Sequence, residues 1–159
     1  DFIDLGNHLG ISIKMASDTP VMTEAQIAAF LDAPHHAIVA TNRRDGAPQI
    51  SPVWYLYEDG KVYFGVRVAS AKYLNLRRDP RISLCIDGGH LDIRTIMIYG
   101  NAEVVEAESP WSEDLVWRIT RRYYDTDEGA RAFREKARAW GPSALIVVTP
   151  EKILSQDFN

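Results

Sequence analysis

The residues best suited to binding chemistry lie between Arg67 and Lys72, in the run Arg-Val-Ala-Ser-Ala-Lys. An extended run ends there, Ser70 is a good helix N-cap, and Lys72 falls in the first turn of the helix. Free backbone N–H groups and the helix dipole attract anions at such a start, and acidic residues are preferred there over lysine. The pattern therefore predicts a phosphate site. An ordinary capped helix with a solvated lysine is the alternative.

A second candidate is the run 49–55, Gln-Ile-Ser-Pro-Val-Trp-Tyr. Its proline interrupts a stretch that otherwise favours a strand, and it frees backbone groups on its neighbours. Those groups suit a planar heterocycle, with Trp54 or Tyr55 beside it. The alternative is an edge strand whose aromatic residues belong to the core.

A third candidate is the arginine-rich run 75–81, Asn-Leu-Arg-Arg-Asp-Pro-Arg. Arg77, Arg78 and Arg81 together could bind an anionic tail. The alternative is a solvated helix face whose arginines pair locally with Asp79.

Several other kinds of site lack their motifs. None of the four histidines forms an HExxH pair, and the single cysteine, Cys85, excludes an internal disulfide and a cysteine cage for zinc. There is no Walker loop, GxGxxG or GxSxG motif, and no apolar run reaches the ~18 residues of a membrane helix. The net charge of −4 and the pI of about 5.5 disfavour bulk nucleic-acid binding. We therefore expect a soluble cytoplasmic protein without a metal, membrane or nucleic-acid partner.

The candidate residues must be positioned by a largely extended framework. Short β-branched and aromatic runs are separated by turn signals such as Asp59-Gly60, a pattern typical of antiparallel strands. The six predicted strands are 36–42, 49–57, 61–68, 82–87, 94–106 and 144–149. Gly100 predicts a bend or bulge in the fifth of them.

Helices are predicted between and after these strands. Thr23 and Gln26 have the spacing of a capping box, which predicts the start of a helix. Pro34 ends that helix. Further helices are predicted over 70–79, from Ser109-Pro110, and along a stripe of Ala130, Phe133, Ala137 and Trp140. This order favours a mainly β (α+β) domain, a small barrel with packed helices, over residues 22–159. Residues 1–21 are interpreted as an N-terminal extension.

The motifs together resemble the pyridoxamine 5′-phosphate oxidase-related superfamily, the flavin- and deazaflavin-binding split β-barrels. The most specific part is the lysine followed by Asn-Leu-Arg-Arg-Asp-Pro-Arg. The resemblance covers about 23–157 and is carried by Ala-Pro-Gln-Ile-Ser-Pro-Val-Trp-Tyr at 47–55, Asp59-Gly60, Val-Tyr-Phe at 62–64, Ala71-Lys72, residues 75–84, and Gly-Asn-Ala-Glu-Val-Val at 100–105.

This resemblance implies a six-stranded split barrel, of the FMN-binding type, that forms homodimers with a cofactor in each of two clefts between the subunits. The residues that it implies at the cofactor phosphate are Ser70, Ala71, Lys72 and Arg67. Those that it implies along the isoalloxazine-type ring, largely through backbone groups, are Ser51, Pro52, Val53 and Trp54.

The implied function is a flavin-dependent oxidoreductase that binds FMN and acts on a small molecule. The deazaflavin coenzyme F420 is the alternative cofactor, and a non-catalytic flavin- or haem-binding module is the alternative function. Oxidases of pyridoxamine phosphate carry an arginine, a lysine and a hydroxyl near the positions of Ile50, Tyr55 and Val66. Because these residues are apolar or aromatic here, a different substrate is expected, and no catalytic residue is assigned.

Overall fold

The computed structural model describes residues 2–4, 14–16, 20–106 and 108–159 of the chain. Within these ranges it contains four helices and nine strands. The helices are α1 (Glu24–Asp32), α2 (Ala71–Arg78), α3 (Pro110–Arg121) and α4 (Asp127–Arg138). The strands are β1 (Phe2–Asp4), β2 (Lys14–Ala16), β3 (Ala37–Thr41), β4 (Gln49–Val53), β5 (Leu56–Glu58), β6 (Lys61–Arg67), β7 (Arg81–Asp87), β8 (Arg94–Val105) and β9 (Ser143–Asp157).

The first two strands pair with each other as a separate antiparallel sheet. They belong to the predicted extension, residues 1–21, most of which lies outside the described residues. The division of the chain at residue 21 therefore stays a prediction.

The main sheet curls until its two edges approach each other. Its strand order is β4-β3-β7-β8-β9-β6-β5, and every neighbouring pair is antiparallel. The two edge strands, β4 and β5, are joined by Trp54 and Tyr55 alone. Such a link spans at most about 11 Å from Val53 to Leu56, so the two edges must lie close together. The predicted split barrel with packed helices is thereby confirmed.

The main sheet has seven strands, so the prediction of six was wrong. The predicted strand 49–57 is two strands, β4 and β5, at opposite edges of the sheet. At Tyr55 the backbone N–H and C=O do not pair with a neighbouring strand; they form hydrogen bonds with side chains of residues that directly follow α3. The Tyr55 N–H donates to the Tyr123 hydroxyl at 3.1 Å, and its carbonyl accepts from Arg122 at 2.9 Å. These partners come from distant sequence, and the uninterrupted β-prone run gives no local sign of them.

The helices occupy two different sides of the sheet. Phe30 and Leu31 of α1 and Leu76 of α2 are buried in the barrel core with Val39 and Phe64. α3 instead packs on the outside of β5, β6 and β9, in a smaller cluster of buried residues formed by Leu56, Tyr63, Leu115, Ile119, Leu145 and Val147. α2, which carries the predicted phosphate site, is therefore fixed against the barrel core.

Local capping signals begin the helices where the sequence predicts. The Thr23 hydroxyl accepts the Gln26 N–H at 3.3 Å, and the Gln26 side chain accepts the Thr23 N–H at 2.8 Å. This is the reciprocal capping box. Ser109 caps α3, with Pro110 at its first position, and Ser70 caps α2.

Metal-binding clusters and membrane-spanning helices are absent from the part of the chain that the structure describes. No group of three or more His, Cys, Asp or Glu side chains there could hold a metal ion, and no helix is long and apolar enough to cross a membrane. The single cysteine, Cys85, is half-buried in β7. Burial raises its pKa, as does the charge of Asp87, which disfavours the reactive thiolate.

A bulge at Gly100 interrupts the pairing of β8 with β9, and the two strands remain paired on both sides of it. The register shifts between Tyr99 and Gly100, opposite Pro150, as the glycine predicted. β9 also continues to Asp157, beyond the predicted end at residue 149. Pro150 lacks an N–H, and the bulge accommodates this gap in the ladder, so the strand extends past its proline.

Replacing Gly100 by alanine is expected to destabilise the barrel. A Cβ at this position would lie 2.2 Å from the Thr149 carbonyl oxygen. Because that neighbour is backbone, we expect the free energy of unfolding to fall by about 1–3 kcal/mol, measured by urea denaturation. Gly65→Ala is the control, since a Cβ there meets nothing within 4 Å among the described residues. Equal stability of the two variants would contradict the clash.

Candidate functional site

The start of α2 gathers positive charge that has no counter-ion among the described residues. β6 ends at Arg67, Ser70 caps the helix by accepting the Tyr73 N–H at 3.3 Å, and Lys72 lies half-buried in the first turn. Within the described ranges, neither Arg67 nor Lys72 forms an ion pair with a carboxylate. Burial lowers the pKa of Lys72, and the charge of Arg67 lowers it further. A bound anion would relieve both effects, so this helix start suits a phosphate group.

The second predicted subsite lies on an open sheet edge. β4 is an edge strand, as the alternative interpretation of the run 49–55 predicts, and Pro52 lies opposite Ile38 of β3. Because Pro52 lacks an N–H, its nitrogen belongs on the outer side of the edge, and the alternation of the ladder turns the groups of Ile50 outward too. The Ile50 carbonyl accepts the Gln49 side-chain amide at 3.1 Å. The outer side of β4 is therefore a sheet edge without a neighbouring strand, and the binding of a planar ring along it stays a prediction.

Ser51 contributes an orphaned hydroxyl to this edge. Its Oγ is the one buried side-chain oxygen or nitrogen without a hydrogen-bond partner in the described part of the chain. Leaving such a group unsatisfied costs free energy, commonly about 1–3 kcal/mol. A polar ligand atom at this position would satisfy it, so the residue fits a polar heterocycle beside β4.

Trp54 points toward α4 and the residues that directly follow α3. Its ring stacks on Tyr123 with centroids 4.9 Å apart, and Phe133 of α4 lies at the same centroid distance. Its indole N–H donates to Nε2 of His36 at 3.1 Å. The side chain is thus held in an aromatic cluster, and the implied role of Trp54 along a cofactor ring falls to its backbone.

A buried polar chain ties α2 to β3 and β4. The Asn75 side-chain amide donates to the Thr41 hydroxyl at 3.1 Å, and this hydroxyl donates to the Gln49 side chain at 3.2 Å. The two predicted subsites are therefore linked: Gln49 is two residues from Ser51 on β4, and Asn75 is one turn from Lys72 on α2.

A groove of about 740 Å³ runs along this seam, between α2 and the turn from β3 to β4. Ala71, one of the predicted phosphate residues, lines it. The other lining residues are Arg43, Arg44, Asp45, Pro48, Gln49, Leu74, Asn75 and Arg78.

The three arginines of the run 75–81 have different partners. Arg77 pairs with Glu106 beside the Tyr73 hydroxyl. Arg81 pairs with Asp79 at 2.7 Å, as the local alternative predicts. Arg78 lines the groove, so it is the member of this run placed to meet a ligand there.

Sequence reasoning missed the polar residues that build the groove. Arg44 belongs to a turn signal, Thr41 lies in a predicted strand, and Arg43 has no assignment. Gln49 and Asn75 begin the candidate runs 49–55 and 75–81, but neither is predicted to line a groove. A signal was present in the spacing of Ala71, Leu74, Asn75 and Arg78, which places them on one helix face. It gave no indication of which strand that face would meet.

Comparison with known proteins identifies the family to which this fold belongs. A sequence model of the pyridoxamine 5′-phosphate oxidase family matches residues 23–157. Among solved structures, a conserved hypothetical protein of Mycobacterium tuberculosis is 30% identical, with 91% of this chain and 89% of that chain covered and a TM-score of 0.72.

Two more distant structures share the fold. An F420 reductase is 20% identical, with 79% of this chain and 93% of that one covered and a TM-score of 0.60. An FAD-binding protein of Mesorhizobium loti is 17% identical, with 87% and 96% covered and a TM-score of 0.65. The match over 23–157 runs from α1 through β9 and so includes β4 and the start of α2. On the strength of that match, the chain belongs to the pyridoxamine 5′-phosphate oxidase family of split barrels.

Proposed function

We propose that the chain is a flavin-dependent oxidoreductase that binds FMN, with the start of α2 at the phosphate and β4 along the ring. The observation that carries this proposal is the pair of cations, Arg67 and Lys72, without a counter-ion among the described residues. Two structural neighbours, an F420 reductase and an FAD-binding protein, support a flavin-type cofactor.

The chain supplies binding and orientation in this proposal. Lys72 neutralises the phosphate, Arg67 adds charge from the end of β6, and Ser70 and Ala71 form the capped start of the helix. At the ring, Ser51 offers its orphaned hydroxyl, and the backbone from Pro52 to Trp54 lies beside it. When bound, the flavin ring supplies hydride or electron transfer.

The substrate is proposed to differ from pyridoxamine phosphate. Ile50 is 63% exposed beside the ring subsite, where an arginine would be needed to recognise a substrate phosphate. Tyr55 is fully buried, and its hydroxyl donates to the Leu31 carbonyl at 3.1 Å, so it is not available to a substrate. An apolar edge favours an uncharged substrate at this point.

A homodimer is also part of the proposal. The register places an apolar row on the outer face of the sheet, formed by Pro52, Ile38, Cys85, Met97 and Leu154. The row next to it is mixed and contains Ile50, Ala40, Ser83, Tyr99 and Lys152. Ile38 and Tyr99 are 41% and 42% exposed. Large exposed apolar patches mark interaction sites, and a second copy on this face would border β4 and enclose the ring. Light scattering tests this, with the mass of two chains expected.

The absorbance spectrum of the purified protein is the direct test of the cofactor. A two-banded yellow spectrum and release of FMN on denaturation would support the proposal. A colourless protein would be titrated with FMN and with F420, the second candidate, for which the arginines of the groove are the favouring observation. Binding of F420 alone would replace FMN by the deazaflavin, and binding of neither would overturn the proposed function.

The affinity for FMN is expected to fall as the pH rises from about 7 to about 10. The pKa of Lys72 is lowered in the unliganded protein, so the side chain loses its proton below the usual lysine range, and the neutral amine no longer attracts the phosphate. The measurement is the FMN dissociation constant across this range, by fluorescence quenching. The arginine of Lys72→Arg stays charged across this range, so its affinity for FMN is expected not to fall with pH. If wild type and Lys72→Arg gave the same dependence of the dissociation constant on pH, Lys72 would not be the group that titrates.

A further inference from the structure

His36 and Trp54 form a hydrogen bond at the end of β4, beside the proposed ring subsite. Ala37 of β3 lies opposite Val53 of β4 in the last pair of that ladder, so His36 and Trp54 lie one step beyond it. The indole N–H of Trp54 donates to Nε2 of His36 at 3.1 Å. An indole N–H can only donate, so Nε2 must be free of a proton to accept it. This bond therefore exists only while His36 is neutral.

The bond to His36 is the one hydrogen bond of the Trp54 ring among the described residues. Tyr123 stacks on this ring with 8° between the two planes, and Phe133 and Tyr124 pack around it at centroid distances of 4.9 and 5.9 Å. Aromatic pairs are favourable over separations of about 4.5–7 Å, so these contacts leave the ring freedom to slide. A hydrogen bond weakens steeply when it is misaligned, and His36 therefore fixes the position of the ring.

The position of Trp54 bears on the backbone that the proposed function places along the flavin ring. β4 is an edge strand, and its last pair is Val53 with Ala37. The next anchored backbone group is the Tyr55 N–H, which donates to the Tyr123 hydroxyl at 3.1 Å. Between these two points the ring contacts and the bond to His36 hold Trp54, so a loosened ring also loosens the end of β4.

The surroundings of His36 leave it free to take up a proton. Its side chain is exposed, and it forms no ion pair in the part of the chain that the structure describes. Besides Trp54, the group that faces it is the Tyr123 ring, with centroids 5.7 Å apart. Burial raises the pKa of the Tyr123 hydroxyl, so Tyr123 stays neutral at acid and neutral pH.

The adjacent histidine, His35, has a different environment. Its ring stacks on Phe30 with centroids 4.5 Å apart, and burial lowers its pKa. Histidine is the side chain whose charge ordinarily changes between about pH 8 and pH 5. Protonated His36 would carry N–H donors on both ring nitrogens, and one of them would point at the indole N–H. Protonation of His36 and its bond to Trp54 therefore exclude each other.

We propose that His36 is a positioning residue for the flavin ring: in its neutral form it holds Trp54 and the end of β4 in place, and its protonation releases them. The inference rests on the proposed function, which places β4 along the ring. Flavin affinity then falls as the pH drops from about 7.5 to about 5. This dependence is separate from the fall expected for Lys72, which occurs at alkaline pH.

The first test follows the indole N–H signals of the ¹⁵N-labelled protein between about pH 7.5 and about pH 5. The chain has four tryptophans, and the signal missing from Trp54→Phe identifies that of Trp54. We expect this signal to move with pH in wild type and to stay fixed in His36→Gln, whose side-chain oxygen accepts the bond and takes up no proton. His90→Gln removes another exposed histidine and is the control, with the behaviour of wild type expected.

Two results of this titration would overturn the proposal. One is a Trp54 signal that stays fixed in wild type. The other is a signal that moves in His36→Gln as it does in wild type, which would assign the titration to another group such as His35.

The second test measures riboflavin affinity by fluorescence quenching at the same two pH values. Riboflavin has no phosphate, so the ionisation of the FMN phosphate at about pH 6 does not contribute. Wild type and His90→Gln are expected to bind riboflavin about two- to tenfold more weakly at the lower pH, the range for losing one hydrogen bond. His36→Gln is expected to keep its affinity, and His36→Phe, which offers no acceptor, to bind weakly at both pH values.

The two tests separate this inference from the proposed function. If wild type binds neither FMN nor riboflavin at about pH 7.5, the proposed function fails, and the NMR titration still supports or overturns the hold of His36 on Trp54. If riboflavin binds, and its affinity depends on pH equally in wild type and in His36→Gln, the flavin site stands and His36 is not its positioning residue.

Discussion

Replacing Lys72 by alanine is expected to weaken FMN binding about 10- to 100-fold, the range for losing a hydrogen bond to a charged group. Lys72 is the full charge in the first turn of α2, and it is half-buried, so solvent screens its attraction for a phosphate less than that of an exposed lysine. Arg67 remains in the variant, and binding is weakened rather than abolished. The measurement is the dissociation constant of FMN by fluorescence quenching at pH 7.

Riboflavin provides the control ligand, because it has the same ring and no phosphate. Its affinity is expected to be the same in wild type and in Lys72→Ala. Lys136→Ala, at an exposed position of α4, is the control variant and removes the same charge from another part of the surface. A parallel loss of riboflavin and FMN affinity would show that Lys72 acts on the protein's structure and not on the phosphate.

Replacing Arg122 by methionine is expected to lower the free energy of unfolding by about 3 kcal/mol. Its guanidinium donates to four carbonyls: that of Tyr55 at 2.9 Å and those of Leu31, Asp32 and Ala33 at 3.2, 2.9 and 2.8 Å. It also lies 5.1 Å from the centre of the Tyr55 ring. One side chain thus ties the end of α1 to the crossing between β4 and β5. Methionine would remove all four bonds, although the Leu31 carbonyl keeps the Tyr55 hydroxyl as a donor and the Ala33 carbonyl keeps the His35 N–H.

Urea denaturation of Arg122→Met and Arg122→Lys measures this effect. Lysine retains the charge but not the planar fork that reaches several carbonyls at once, so we expect an intermediate loss of stability. Arg131→Met on α4 is the matched control, since Arg131 is exposed and its ion pair with Asp127 is long, at 3.8 Å. An effect of Arg122→Met no larger than that of the control would show that the four bonds contribute little.

Features that depend on neighbouring residues could be predicted from the sequence. The capping residues Thr23, Ser70 and Ser109 act within three residues of themselves, and each begins the helix that it predicts. The bulge at Gly100 follows from the absence of a side chain where two backbones meet. The edge position of β4 follows from its prolines.

Features that depend on distant residues could not be predicted in the same way. The break at Tyr55 requires Tyr123 and Arg122, which come more than sixty residues later. The groove requires α2 to meet the β3–β4 turn, through bonds of Asn75 to Thr41. The resemblance to a known family predicted the barrel. It predicted neither the seventh strand nor the position of Arg43 and Arg44 in the groove.

The position of β9 in the sheet has a consequence for how the chain folds during its synthesis. β9 lies between β8 and β6 and pairs with both, although it follows β6 by about 80 residues, and contacts of such long range slow folding. Until residues 143–157 have left the ribosome, β6 and β8 each present an unpaired edge, and the barrel cannot close. Nascent chains that stall before Ser143 are therefore expected to expose strands prone to aggregation and to recruit chaperones.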